Sequence, residues 1–129
     1  MTHYIDGFVF PIPSAQLDQY RRLAEAVARI WKEHGALEYR EFVGDDLHRE
    51  GTRPFPSTLE VTADEVVVFG WITFPSREVR DLANEKVAVD PRVEELMATA
   101  GVDFDGNRMA YGGFRPLVGA ATEGPPTTV

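Results

Sequence analysis

Apolar residues alternate with others over residues 3–12, in a stretch rich in Tyr, Phe, Ile and Val. That pattern reads as a strand, closed by Pro11 and Pro13. The period then changes. Leu17, Tyr20, Leu23, Ala24, Val27, Ile30 and Trp31 recur at helical spacing behind Ser14 as N-cap. This helix should end at His34, with Gly35 in the left-handed position that follows a helix C-terminus. Leu37 to Val43 reads as a second strand. Residues 44–64 contain Gly44, Gly51, Pro54 and Pro56, which leave room only for a brief pairing at Leu59 to Val61. Connections this long often serve as lids or binding loops. Residues 65–74 give the clearest strand, with four consecutive apolar residues from Val66 to Phe69. Pro75-Ser76 opens a second helix carrying Val79, Leu82, Ala83 and Val87 on one face. Asp90-Pro91 restarts helix with a cap and a proline at its first position. Asp105-Gly106 is read as a turn, and Arg108 to Val118 as the last strand.

The resulting order, βαββαβ, predicts an α+β sandwich in which helices cover one face of a four-stranded antiparallel sheet. The other face must meet water or another chain. Alternation collects Tyr4, Asp6, Phe8, Tyr39, Glu41, Phe69, Trp71, Met109 and Tyr111 on one side, and Ile5, Val9, Val68, Ile72 and Phe114 on the other. The smaller set resembles an ordinary helix-facing core. The larger, aromatic set is a liability if left bare, so a homodimer that closes it into a barrel-like interior is expected.

Composition narrows the function classes. The 129 residues suit a single domain over residues 1–118, followed by a flexible tail over 119–129 rich in Gly, Thr and Pro. Cysteine is absent, which removes disulfides and thiolate chemistry and fits a cytoplasmic location. No apolar run approaches membrane-spanning length, and no leader pattern opens the chain. Thirteen Lys and Arg stand against twenty-one Asp and Glu, a net charge of −8. Neither nucleic acid nor an acidic membrane surface is expected as a partner, since both need a basic face.

The segments Val9 to Pro13, Trp31 to Asp46, Val67 to Trp71, Arg80 to Asn84, Asp90-Pro91 and Phe104 to Phe114 carry a resemblance. The run WKEHGALEYRE followed by GDD is its most specific part. On these residues the chain resembles the YbaA-like family, domain of unknown function 1428. The resemblance implies the ferredoxin-like fold of the dimeric α/β-barrel superfamily, and it brings no established activity. The wider superfamily includes cofactor-free quinone-forming monooxygenases, haem-degrading monooxygenases and lactone isomerases, which is analogy at the level of fold.

Asp6, Tyr39, Glu41 and Trp71 form the centre of the candidate site, with Phe69 and Arg80 as further ligand-binding residues. Two carboxylates in an apolar interior raise one another's pKa towards the range of a general base. In the competing reading they are structural, paired with Arg40, Arg80 or Arg115. Asn84 together with Trp71 resembles the Asn and Trp of the superfamily's oxygenases, where an amide steadies an anionic oxygen and an indole excludes water. The bland alternatives are interface packing for Trp71 and a capping or solvated role for Asn84. No metal site is expected: Gly35 breaks the helix between His34 and the acids Glu38 and Glu41, and no second His stands at helical spacing. All three histidines precede residue 49, so the haem ligand of the haem-degrading members is missing, and no cofactor is expected. The sequence therefore suggests a homodimeric small-molecule-binding protein. Its catalytic version is a cofactor-free monooxygenase or isomerase acting on an aromatic or enolisable compound. In it Glu41 or Asp6 takes a proton and Asn84 or Arg80 holds the anion. The alternative is a non-catalytic dimer with structural interface carboxylates.

Overall fold

The first strand (β1) is Tyr4–Pro13 in the computed structural model, which describes residues 3–119. It continues through the prolines that were expected to end it. Strand β4 pairs with β1 only from Ile5 to Val9. Opposite Pro11, the Val67 carbonyl accepts from Gly44 on the far side of its own strand. The proline nitrogens therefore face the edge where no partner strand needs a donor.

Helix α1 is Leu17–Glu33, preceded by a single 3₁₀ turn at Ser14–Gln16. The Ser14 hydroxyl donates to the Asp64 carbonyl at 3.0 Å, so it ties two loops together and does not cap the helix. The C-terminus follows the expected geometry. Gly35 has φ +120° and its N–H bonds the Lys32 carbonyl, while Ala36 N–H bonds the Trp31 carbonyl. Strand β2, Glu38–Val43, starts immediately after. Leu59 does not pair as a strand. It ends a one-turn helix α2, Phe55–Leu59, because Pro54 and Pro56 suit a helix start and cannot donate to a ladder. Strand β3 is Glu65–Phe74. Helix α3, Arg77–Ala88, is capped by Ser76, whose Oγ accepts from Val79 N–H. Helix α4, Pro91–Thr99, is capped by Asp90. Strand β4, Ala110–Phe114, is shorter than expected. Apart from Gly119, the tail expected over 119–129 lies outside the described residues.

The sheet order is β2-β3-β1-β4, with all neighbours antiparallel, and helices α1, α3 and α4 lie on one side. The covered core holds Phe8, Phe10, Ile12, Val68, Ile72 and Phe74, joined by Ala36 and Ala83. Register corrects the expected division of faces. Tyr4, Asp6, Phe8, Tyr39, Glu41 and Tyr111 do share a face, but it is the one beneath the helices. Phe69 and Trp71 pair with Val9 and Gly7 and point to the bare side. Ile5, Val9 and Phe114 belong to the bare side as well, whereas Val68 and Ile72 belong to the core.

The bare side is aromatic nonetheless. Phe42 stacks on Trp71 with ring centroids 5.3 Å apart, and Phe69 meets both Trp71 and Phe55 edge-on. Phe42, Phe69 and Phe114 are each 41% exposed or more.

Candidate functional site

Glu41 lies on the covered face of β2, turned towards α1. The Tyr39 hydroxyl donates to its Oε2 at 2.5 Å, and the Tyr20 hydroxyl donates to Oε1. Tyr39 arrives by strand alternation, two residues before Glu41. Tyr20 arrives from α1, one of a row of otherwise apolar residues on the buried side of the helix. Burial pushes the Glu41 carboxyl above its ordinary range, and the two tyrosine hydrogen bonds only partly oppose this. Among the described residues Glu41 has no cationic partner. Burial and the adjacent carboxylate together push both phenols well above their usual range, so each remains a donor.

Asp6 is arranged differently. It has no exposed surface, and its Oδ2 accepts from the Tyr111 hydroxyl at 2.7 Å. Arg80 Nη1 stands 3.4 Å from Oδ1, and Asn84 sets its amide against the same carboxylate. Arg80 also donates to the Tyr4 hydroxyl and lies over that ring. Burial raises the Asp6 pKa more strongly than Tyr111, Arg80 and Asn84 lower it. Asp6 Oδ1 and Asn84 Oδ1 are buried without a hydrogen-bond partner, and Arg80 Nε stands 3.0 Å from Asp81 Oδ1 as an ion pair. Gly113 of β4 provides the room, because a Cβ there would sit 2.4 Å from Tyr4 Oη and 2.8 Å from Arg80 Nη2.

Two cavities adjoin these groups. An outer cleft of about 300 Å³ opens between α1 and the β2 edge, lined by Arg21, Glu25, Glu41, Phe42 and Val43 among others. An inner chamber of about 160 Å³ lies between helices and sheet, walled by Phe8, Val27, Trp31, Ile72, Phe104 and Met109 among others. Tyr20, Ala24 and Tyr39 belong to both and form the partition. Thus Glu41 faces the cleft directly and the chamber through its two tyrosines.

The structure brings Glu41 and Tyr39 together at one site and Asp6, Arg80 and Asn84 at another. Phe69 and Trp71 join neither. The Trp71 indole N–H donates to Glu38 Oε1 at 3.2 Å on the bare face, so it cannot shield a ligand beneath the helices of its own chain. His34 bonds Asp90 at 3.0 Å and links the end of α1 to the start of α4, away from Glu41. Sequence reasoning passed over Tyr20, Tyr111 and Arg21. A signal for Tyr20 was present, since a tyrosine on an apolar buried stripe needs a partner for its hydroxyl.

The βαββαβ order, the 4-1-3-2 strand arrangement and helices packed on one face of the sheet define a ferredoxin-like α+β protein. Within that class, the chain belongs to the family described as "Protein of unknown function (DUF1428)", whose model matches residues 3–106. It is 41% identical to the uncharacterized protein YbaA of Escherichia coli (strain K12) over 115 residues, covering 89% of this chain and 97% of that one. Its fold is similar to a NIPSNAP-like domain protein from Burkholderia xenovorans, with TM-score 0.56 and 12% identity, over 93% and 90% of the two chains. It is also similar to a monooxygenase from the gene ActVA-Orf6 of Streptomyces coelicolor, solved in complex with the ligand Nanaomycin D. The TM-score there is 0.55 with 15% identity, over 95% and 94% of the two chains. Among the described residues no helix is long and apolar enough to cross a membrane.

Proposed function

We propose that this protein binds a small aromatic or enolisable molecule between α1 and the sheet and removes a proton from it through Glu41. The observation that carries this reading is a half-buried carboxylate with a raised pKa, held by two phenols and, among the described residues, no cation, on the wall of an open cleft. A carboxylate whose pKa is raised is a stronger base than an ordinary one, which suits it to proton abstraction. A ligand in the cleft meets Glu41 directly. One in the chamber meets it through Tyr39, whose proton passes to Glu41 as its oxygen takes the ligand's. Returning the proton to a different carbon completes an isomerisation. With dioxygen, a phenol proceeds to a quinone and water, the chemistry of a cofactor-free monooxygenase. A monooxygenase of similar fold was solved in complex with the ligand Nanaomycin D, which supports a small-molecule site in this reading.

Asp6, Arg80 and Asn84 take a supporting role in this reading. Asp6 has the cationic partner that a structural carboxylate needs, and its cluster fixes Tyr111 at the chamber wall. The same proposal pairs two chains across the bare sheet face, sealing Phe42, Phe69, Trp71 and Phe114. Contiguous apolar patches beyond a few hundred Å² are rare on monomers.

The test is solvent deuterium exchange into phenols and small β-dicarbonyl compounds, compared between wild type and Glu41→Gln. Catalysed exchange that drops at least tenfold in the variant is expected. Equal exchange in both proteins would leave a non-catalytic binding protein as the better description.

A further inference from the structure

The inner chamber has a size and a chemistry that select among aromatic ligands. Its volume is about 160 Å³. An apolar protein cavity of about 150 Å³ accepts benzene, so the chamber encloses one six-membered ring, and a second fused ring would have to displace its wall or remain in its mouth. That wall is aromatic and aliphatic, with Met97 and Met109 adding thioether sulfurs that favour ring edges. Met97 and Tyr111 are 44% and 47% exposed, which marks the entrance between α4 and β4, away from the outer cleft.

The polar atoms of the wall set the second condition. Tyr20, Tyr39 and Tyr111 line the chamber, and each phenol has a single proton to give. All three protons are committed to carboxylates, two to Glu41 and one to Asp6. What their oxygens still offer is lone pairs. A ligand group that donates finds a partner at each of them, whereas a carbonyl or carboxylate that only accepts finds no tyrosine proton and has the Trp31 indole N–H as its one side-chain donor on that wall.

We infer that the inner chamber is a binding site for a single aromatic ring carrying a hydrogen-bond donor, a monocyclic phenol. This narrows the ligand class of the proposed function, and its catalytic meaning rests on that reading through the Tyr39–Glu41 contact. It separates this chain from any relative that accommodates a polycyclic substrate.

The test is ligand-detected NMR with isothermal titration, using phenol, toluene, benzoate and 2-naphthol on the full chain. Phenol should bind at least tenfold more tightly than toluene, benzoate or 2-naphthol. Val27→Phe, which projects into the chamber alone, should abolish phenol binding. Met97→Trp at the exposed entrance should weaken it and serves if the first variant fails to fold. Met109→Ala should admit 2-naphthol. Wild-type binding of 2-naphthol as tight as phenol, or phenol binding unaffected by the chamber variants, would overturn the assignment. The two readings fail separately. If phenol does not bind the wild type while Glu41-dependent deuterium exchange persists, the chamber assignment falls and the base remains. If phenol binds and exchange ignores Glu41→Gln, the base falls and the chamber remains.

Discussion

Phe8 of β1 lies across the backbone of Gly70 on β3, its register partner, close enough that a Cβ at Gly70 would stand 2.7 Å from Phe8 Cζ. The same Cβ would approach the Arg40 carbonyl oxygen to 2.6 Å. The missing side chain lets the Phe8 ring reach over β3 towards Tyr39 on β2, with centroids 6.3 Å apart, while its other side stacks on Tyr111 at 5.9 Å. One ring therefore floors the chamber between the Glu41 and Asp6 clusters.

Gly70→Ala should destabilise the protein by about 1–3 kcal/mol, the usual range for overpacking a filled core. Urea denaturation gives the stability change. The backbone carbonyl cannot yield as a side-chain tip can, so an unchanged midpoint would overturn the close approach of both neighbours to Gly70.

This contact also explains why the faces of the sheet were only partly legible in the sequence. Along β1 the alternation of Tyr4, Asp6 and Phe8 was clear, and the elements around it were readable from Ser76, Asp90-Pro91 and Gly35. In β3 the run Val66 to Phe69 has no alternation, so its phase had to be inferred from the aromatic residues. That choice placed Phe69 and Trp71 with Tyr39. The true phase puts Gly70 inward, at a core position no hydrophobic pattern marks, and only pairing with Phe8 reveals it. The Glu41 site was half visible for a related reason: Tyr39 and Glu41 share a strand, whereas Tyr20 comes from a helix whose stripe reads simply as core.

The pH dependence of stability should report Glu41. Burial raises its carboxyl above the ordinary value of 4.5, so the folded protein retains that proton after the unfolded chain has released it. Across the window between those two values the unfolded state binds fewer protons, and stability falls as pH rises. Asp6 contributes with the same sign. Glu65 has the opposite sign: its hydrogen bonds from Arg108 hold it down to about 2, so its contribution is lost as pH falls below 4.5. Thermal denaturation should show wild-type Tm dropping above pH 4.5 more steeply than that of Glu41→Gln, with the variant the more stable protein at neutral pH. Parallel profiles would mean that Glu41 ionises normally.

The Asp6–Arg80 pair should behave as a buried ion pair whose halves depend on each other. Arg80→Met leaves Asp6, with no exposed surface, facing only Tyr111 and Asn84. Removing one partner of a buried pair typically costs about 3–5 kcal/mol, and the readiness of Asp6 to hold a proton places this case at the lower end. Asp6→Asn in the same chain should recover part of the loss. A double-mutant cycle by denaturant unfolding measures the coupling, and strictly additive losses would mean the two side chains do not interact.

The bare sheet face gives the last expectation, and it concerns assembly. Phe69 projects from the middle of that face, edge-on to both Trp71 and Phe55, while Phe114 covers Gly7 on the neighbouring strand. A second copy seated here would bury the aromatic row of each chain against the other. A lysine at the centre would then bring an unpaired charge into an apolar contact. Sedimentation velocity should find the wild type as a dimer, and Phe69→Lys should yield monomers or insoluble material. Val89→Lys, at a position 79% exposed beyond the end of α3, serves as the control and should sediment like the wild type. If Phe69→Lys keeps the wild-type assembly, this face is not where the chains meet. The exposure of its aromatic row would then need another explanation.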